Sequence, residues 1–283
     1  MANILFTTES GADVPKYLVD KYPIYVAPMH VIMDEKDYPD GTIPVTDIYD
    51  YYERTNQIPS TTSTNPQEYT ELFEQIKKED PDSIIVHIGY TSRASSSFQH
   101  ATIAAKDFDN IHLIDALNVS GGLGSIVLFA AQLLERQPDI ALEDLIEQIK
   151  RKVPKSRFSF IPGSLDFLRA GGRVSNAAYI SASLLKIKPL IELIDGKLTS
   201  TKKYRGPMKQ VVEKMFRDYV SHYDLDKEVL YLLYSVGLDE SVKEIMETLA
   251  TEAGFTNLVW IQAGNVISTH AGPGGAGFAG LEI

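Results

Sequence analysis

The chain has 283 residues, 44% hydrophobic and 23% charged, a globular composition long enough to bury a sizeable core and far from the disordered and fibrous classes. Its formal net charge of −11 disfavours nucleic acid as a partner, and the absence of cysteine excludes disulfides, thiolate metal sites and thiol nucleophiles. The opening MANILFTTES lacks a basic start with a long apolar run, and no apolar stretch approaches a membrane span, so the expectation is a cytoplasmic protein without stable membrane insertion.

Strand and helix patterns alternate along the first half, which predicts an α/β fold with a mainly parallel sheet covered by helices. Asn3 to Thr7 reads as a short strand leading into Glu9-Ser10-Gly11, and Ile24 to Met29 as a second strand interrupted by Pro28. Met33 to Thr46, rich in Asp, Pro and Gly, reads mainly as loop, with residues 30–60 crossing towards a second lobe. Asn65, Pro66 and Glu68 then spell a capped helix start, with Tyr69, Leu72, Phe73 and Ile76 on one face. Ser83 to Gly89 is a core strand, followed by the hydroxyl-rich run Tyr90 to Ser97 and a helix through Ala105. Ile111 to Ile114 is a further strand, Asp115 to Gly124 a small-residue loop, and Ile126 to Leu134 an apolar helix; Asp139 is placed to cap the next helix, to Lys152.

Phe158 to Ile161 ends this pattern at Pro162-Gly163. The expected division is an N-terminal α/β domain over 1–160 and a mixed α/β domain over 161–283. The second part offers a helix from Leu165 to Ala170 stopped by Gly171-Gly172, an apolar run from Ala177 to Ile187, and a strand from Leu190 to Ile194 that meets the turn Asp195-Gly196. A helix over Pro207 to Tyr219, a strand over Val229 to Val236, a helix capped by Asp239 and a strand over Leu258 to Gln262 complete it. His270 to Gly277 closes the chain as a glycine-dense turn.

Two hydroxyl-rich loops stand directly before helices, where backbone donors and the helix dipole favour an anion. Thr61, Thr62 and Ser63 come from the first; Thr91, Ser92 and Ser95 come from the second. Such hydroxyls can hold a carboxylate without burying a full positive charge, and they can equally be ordinary caps and turn residues. Arg173, beside Gly172, suits bidentate binding of an anion or a solvent position, and Lys186, Lys188, Lys202, Lys203 and Arg205 form a basic minority near the Asp195-Gly196 turn. His270, with Gly272 and Gly274 after it, can pair with an anionic headgroup. Gly121-Gly122-Leu123-Gly124 is no nucleotide loop, since no Gly-Lys-Ser/Thr ending follows. Nothing composes an enzyme site: there is no Gly-x-Ser-x-Gly elbow and no His-Glu-x-x-His metal site, and Glu9, Asp13 and Asp115 read as cap, surface or loop residues.

Together these segments resemble the DegV family across essentially the whole chain. The resemblance is carried by ILFTTESGADVP at the start, by Pro59-Ser60-Thr61-Thr62 before Asn65-Pro66, and by the hydroxyl run Thr91 to Gln99, in which Ser96 stands where the family has glycine. It continues through GGRVS, through Leu185-Lys186-Ile187-Lys188-Pro189 with Asp195-Gly196, and through His270-Ala271-Gly272-Pro273-Gly274. The resemblance implies a two-domain, noncatalytic carrier of a long-chain fatty acid, with no tightly bound cofactor and no metal, that presents its ligand to a separate ATP-dependent fatty acid kinase for acyl phosphate formation. It implies that Thr61, with Thr62 and Ser63 beside it, and Ser92, with Ser95 nearby, hold the carboxylate. Arg173, Arg205 and His270 would then lie at the headgroup end or the kinase-docking surface, and Gly121, Gly122, Gly172, Gly272 and Gly274 would support the loops. The alkyl chain is expected in a slot near Ile126 to Leu134 and Ala177 to Leu185. A lipid-sensing regulatory module and a small-molecule kinase or transferase are the alternatives.

Overall fold

The computed structural model describes residues 3–174 and 187–283. The first part of the chain forms β1 (Ile4–Glu9), α1 (Lys16–Lys21), β2 (Ile24–Ala27), β3 (His30–Met33), β4 (Lys36–Pro39), α2 (Val45–Thr55), β5 (Ser60–Thr62) and α3 (Pro66–Glu79). It continues through β6 (Ile84–Gly89), α4 (Ser97–Ala104), β7 (Ile111–Asp115), α5 (Ser120–Arg136) and α6 (Leu142–Lys152). After these come β8 (Ser156–Ile161), α7 (Leu165–Gly171), β9 (Ile187–Ile194), β10 (Lys197–Arg205), α8 (Met208–His222), β11 (Val229–Tyr234), α9 (Glu240–Glu252), β12 (Asn257–Gln262), α10 (Asn265–Ala271) and β13 (Ala276–Leu281).

The first sheet runs β2-β1-β6-β7 and is parallel throughout, as the alternating pattern predicts. One face carries α3 and α4, whose Tyr69, Phe73, Ile76 and Ala101 pack with Ile85; the other face meets α5. The second sheet runs β10-β9-β8-β13-β11-β12 and is mixed: β11 and β12 are parallel and the other pairs antiparallel. Helices α8 and α9 cover one face of it, and α5 packs on β8, β11 and β13 from the other side. Helix α5 is therefore enclosed by both sheets, and Leu123, Ile126, Val127 and Ala130 are fully buried with it. A helix apolar all round is stable only in such a place.

Several local signals translate directly. Asn65 Oδ1 accepts from the Glu68 N–H at 3.1 Å and Glu68 Oε2 accepts from the Asn65 N–H at 2.8 Å, a complete capping box with Pro66 in the first turn. Asp195 and Gly196 both have positive φ and join β9 to β10 as a two-residue hairpin. Asp239 caps α9 by accepting from the Ser241 N–H.

Other expectations are corrected. Met33 to Thr46 is not mainly loop: β3 and β4 form a hairpin, and β5 pairs β3 on its other side. The turn Asp34-Glu35 adopts positive φ at both residues with no glycine to announce it. Gly121 and Gly122 are not loop residues, because α5 begins at Ser120 and contains both. A Cβ on Gly121 would lie 2.3 Å from Leu233 Cδ2, and one on Gly124 would lie 2.7 Å from the Ala12 carbonyl oxygen, so these glycines serve close packing. Asp139 does not cap α6, which starts at Leu142 after Ala141. The closing segment is more than a turn: it holds the end of α10 and then β13, which inserts between β8 and β11. Residues 177–186 of the predicted apolar run lie outside the described residues, and Ile187 opens β9.

Candidate lipid-binding site

A cavity with about 840 Å³ of empty space, counted out to its mouth, lies where the loops after β5 and β6, the start of α5, the end of α7, strands β8 to β10 and helix α10 converge. Phe158, Phe160, Leu168, Val174, Ile191 and Leu198 make much of its wall apolar. Among the described residues its polar lining consists of Thr61, Thr62, Ser63, Tyr90, Ser95, Ser120, Arg173 and His270.

The first hydroxyl loop is placed by pairing. Thr61 sits opposite Val31 in the β3–β5 ladder, and Thr64 Oγ1 donates to the Pro28 carbonyl at 2.7 Å, which holds the chain just before the α3 cap. Thr61 Oγ1 and His270 Nε2 lie 2.9 Å apart, joining residues 209 positions distant in sequence. Burial and then the Arg173 guanidinium push the His270 imidazole down to about 4, so it is neutral at pH 7. A Cβ on Gly171 would lie 2.2 Å from His270 Nδ1, so the last residue of α7 must be glycine for the ring to sit there. Arg173 Nη1 donates to the Gly171 carbonyl at 2.7 Å, from a largely exposed side chain at the cavity's edge.

The second hydroxyl loop is pinned from below by a carboxylate. Glu9 is fully buried: Oε1 accepts from the Tyr69 hydroxyl at 2.6 Å, and Oε2 accepts from the Tyr90 N–H at 2.8 Å. Burial pushes the carboxyl up, but His87 and these hydrogen bonds outweigh it and hold Glu9 below the usual carboxylate range. From Tyr90 the loop turns so that Ser95 faces the cavity, its Oγ accepting from the Ser97 N–H at 3.2 Å. Thr91 points elsewhere, donating to the Gly196 carbonyl at 2.8 Å across the β9–β10 turn. Ser92 is exposed and outside the cavity lining, with its backbone N–H directed at the Asp115 carboxylate.

Asp13 is also buried, contrary to a surface role: Ser120 Oγ donates to its Oδ2 at 2.5 Å and the Gly264 N–H to its Oδ1 at 2.8 Å. Burial lifts its carboxyl well above the ordinary value; the Ser120 bond opposes that shift and nearby Asp40 adds to it.

Of the predicted headgroup residues, the fold brings Thr61, Thr62, Ser63, Ser95, Arg173 and His270 to one cavity and leaves Ser92 and Arg205 outside it. Arg205 is exposed at the end of β10. Gly172 and Gly272, both with positive φ, end α7 and α10, and Gly274 turns the chain towards β13. The α5 stretch from Ile126 to Leu134 fills the space between the sheets, and only Val119 and Ser120 at its start touch the cavity.

A model of the DegV family, a family described as of uncharacterised protein, matches residues 3–282. The chain belongs to the DegV family. A DegV domain-containing protein of Caldanaerobacter subterraneus subsp. tengcongensis is 31% identical to it, with 98% of each chain covered. A fatty acid-binding protein of Thermotoga maritima is 27% identical, covering 97% of this chain and 96% of its own. A solved structure reporting fatty acid binding of a DegV family protein from Thermus thermophilus has a TM-score of 0.88 at 24% identity, covering 99% of this chain and 100% of the other. Fatty acid binding is thus described for DegV relatives, and the DegV fold is shared over the whole length. Among the described residues of this DegV chain no helix is long and apolar enough to cross a membrane, and no cluster of three or more His, Cys, Asp or Glu is arranged to hold a metal.

Sequence reasoning missed Tyr90 and Ser120 as lining residues of the DegV cavity. Tyr90 opens the hydroxyl-rich run after β6, in which the threonine and serines alone are read as binding groups, and Ser120 sits in a small-residue stretch that gives no sign of the helix starting there.

Proposed function

We propose that this DegV family chain binds one long-chain fatty acid without catalysis and presents its carboxylate to a separate ATP-dependent fatty acid kinase for acyl phosphate formation. The carrying observation is an apolar-walled cavity that Thr61, Ser63 and Ser95 line together with a neutral His270, 2.9 Å from Thr61 Oγ1, and with Arg173 at the edge. Hydroxyl donors suit a carboxylate there because they satisfy its lone pairs without requiring a second buried charge. Each buried methylene contributes about 0.8 kcal/mol, so ten contribute about 8 kcal/mol, enough to exceed the several kcal/mol of stripping water from one carboxylate. In this reading Thr61 and Ser95 hold the headgroup, Thr62 and Ser63 line its approach, and phosphoryl transfer belongs to the partner. The DegV relatives described as fatty acid-binding support the ligand class.

Native mass spectrometry of the purified chain tests the binding half. Retention of a single long-chain acid, lost in the Thr61→Ala/Ser95→Ala double variant, is expected; no lipid, even after incubation with a panel of fatty acids, sinks the reading. The presenting half is tested by ATP-dependent acyl phosphate formation with a purified fatty acid kinase. It is abandoned if the kinase works equally well on free fatty acid without this chain.

A further inference from the structure

We propose that Gly275 is a specificity-determining residue of the cavity: it gives the Phe160 ring bare backbone to lie on and so keeps the space over Ile191 open for a long acyl chain. This rests on the fatty-acid reading above and names the residue that governs how much chain the cavity accepts.

The glycines at 272, 274, 275 and 277 serve two different purposes. Gly272 and Gly274 have positive φ, where a side chain is strained; Gly275 and Gly277 do not, so left-handed backbone is not the reason for glycine at either. The reason is space. A Cβ on Gly275 would lie 2.6 Å from Phe160 Cζ and 2.9 Å from its Cε1, and one on Gly277 would lie 2.6 Å from its Cδ2. The ring thus lies along the start of β13, in the volume that side chains there would fill.

That placement is one of two open to it. Phe160 is flanked in the mixed sheet by Gly277 of β13 on one side and by Ile191 of β9 on the other. Directly opposed residues of an antiparallel pair share a face, and Phe160 and Ile191 both line the cavity, with Leu198 of β10 beyond them. Along β8 the way is closed, because the Phe158 ring stacks on Phe160 with centroids 6.1 Å apart and planes 17° apart. A ring that cannot rest on β13 therefore turns over Ile191, into the space where an alkyl chain would run.

Gly275 is the residue that acts through the ring alone. A Cβ at 277 would also stand 2.5 Å from the Ser159 carbonyl oxygen and force β13 from β8, whereas the two atoms nearest a Cβ at 275 both belong to the Phe160 ring.

The test is isothermal titration of the full, delipidated chain with octadecanoic acid, for wild type, Gly275→Ala and the Gly275→Ala/Phe160→Leu double variant, with the melting temperature of each taken without ligand. Gly275→Ala is expected to bind ~10-fold or more weakly than wild type, the worth of roughly two buried methylenes. The double variant, with a smaller side chain at 160, should return to within about 3-fold of wild type. Unchanged affinity in Gly275→Ala overturns the proposal. So does a loss that persists in a folded double variant, because the effect would then not pass through the ring. Ile191→Phe, which places a ring over β9 without touching β13, keeps the test decisive if Gly275→Ala fails to fold: it too should weaken octadecanoic acid, and unchanged affinity there overturns the path assigned to the chain. Failure of wild type to bind octadecanoic or any other fatty acid is a different result, and it removes the fatty-acid reading on which this one rests.

Discussion

His270 carries the sharpest consequence at the scale of a single residue. Burial and Arg173 hold its imidazole at about 4, against 6.5 for the ordinary group. Because the folded value is the lower one, the unfolded chain takes up the proton first as pH falls. The stability associated with neutral His270 is therefore intact above about pH 6.5 and is lost as pH drops towards 4. For a ring that retains some exposure the change is about 2 kcal/mol over that window. Urea unfolding of wild type and His270→Gln at pH 7 and pH 4.5 measures it: the variant should lose less stability between the two pH values, and an identical loss would assign the pH dependence to other groups. At this scale the sequence was partly legible. Glycine before an arginine and a histidine before Gly-Pro-Gly marked the right neighbourhood, but Ser92 and Ser95, three residues apart on one loop, differ only in which way the turn directs them.

Helix α5 raises the corresponding question for an element. Glycine in a helix interior is less favourable than alanine by about 1 kcal/mol, yet α5 contains Gly121, Gly122 and Gly124 within its first two turns. The intrinsic term alone makes Gly124→Ala stabilising. The packing term opposes it, since the new Cβ would stand 2.7 Å from the Ala12 carbonyl oxygen, a backbone atom that moves only with its segment. Overpacking of this kind costs about 1–3 kcal/mol, so against a propensity gain of about 1 kcal/mol a net destabilisation of up to about 2 kcal/mol is expected in denaturant unfolding. A net gain would mean that α5 can shift away from the β1–α1 connection without penalty. The same competition explains why Gly121-Gly122-Leu123-Gly124 reads as loop from sequence: propensity is local, and the neighbours that require glycine at 121 and 124 come from residues 233 and 12. Helix α3 shows the opposite case, because its capping box is closed by residues three apart and needs no tertiary partner.

For the whole molecule, the main core runs without interruption from one sheet to the other. It passes from Phe6, Val86 and Ile88 on the parallel sheet through Leu123, Ile126 and Val127 of α5 to Phe158, Phe160 and Leu233 on the mixed sheet. Removing α5 from either sheet would expose apolar surface on both, so the two sheets should unfold together. The single tryptophan, Trp260, lies on β12 of the mixed sheet and reports that half alone. Thermal unfolding followed by Trp260 fluorescence and by far-ultraviolet circular dichroism is expected to give coincident transitions. A resolved second transition would show that the sheets are separable despite the shared helix.

The sequence by itself determined what depends on residues a few positions apart. The capping box at Asn65, the Asp195-Gly196 hairpin, the Asp239 cap, the alternation that makes the first sheet parallel, and the stop of α7 at Gly171-Gly172 all rest on local hydrogen bonding and backbone sterics. Only the tertiary structure decided which hydroxyls face the cavity, that Glu9 and Asp13 are buried, and that β13 enters the middle of its sheet. The reason is one of distance along the chain. Thr61 meets His270 across 209 positions and Asp13 meets Gly264 across 251, and no local periodicity records such a meeting.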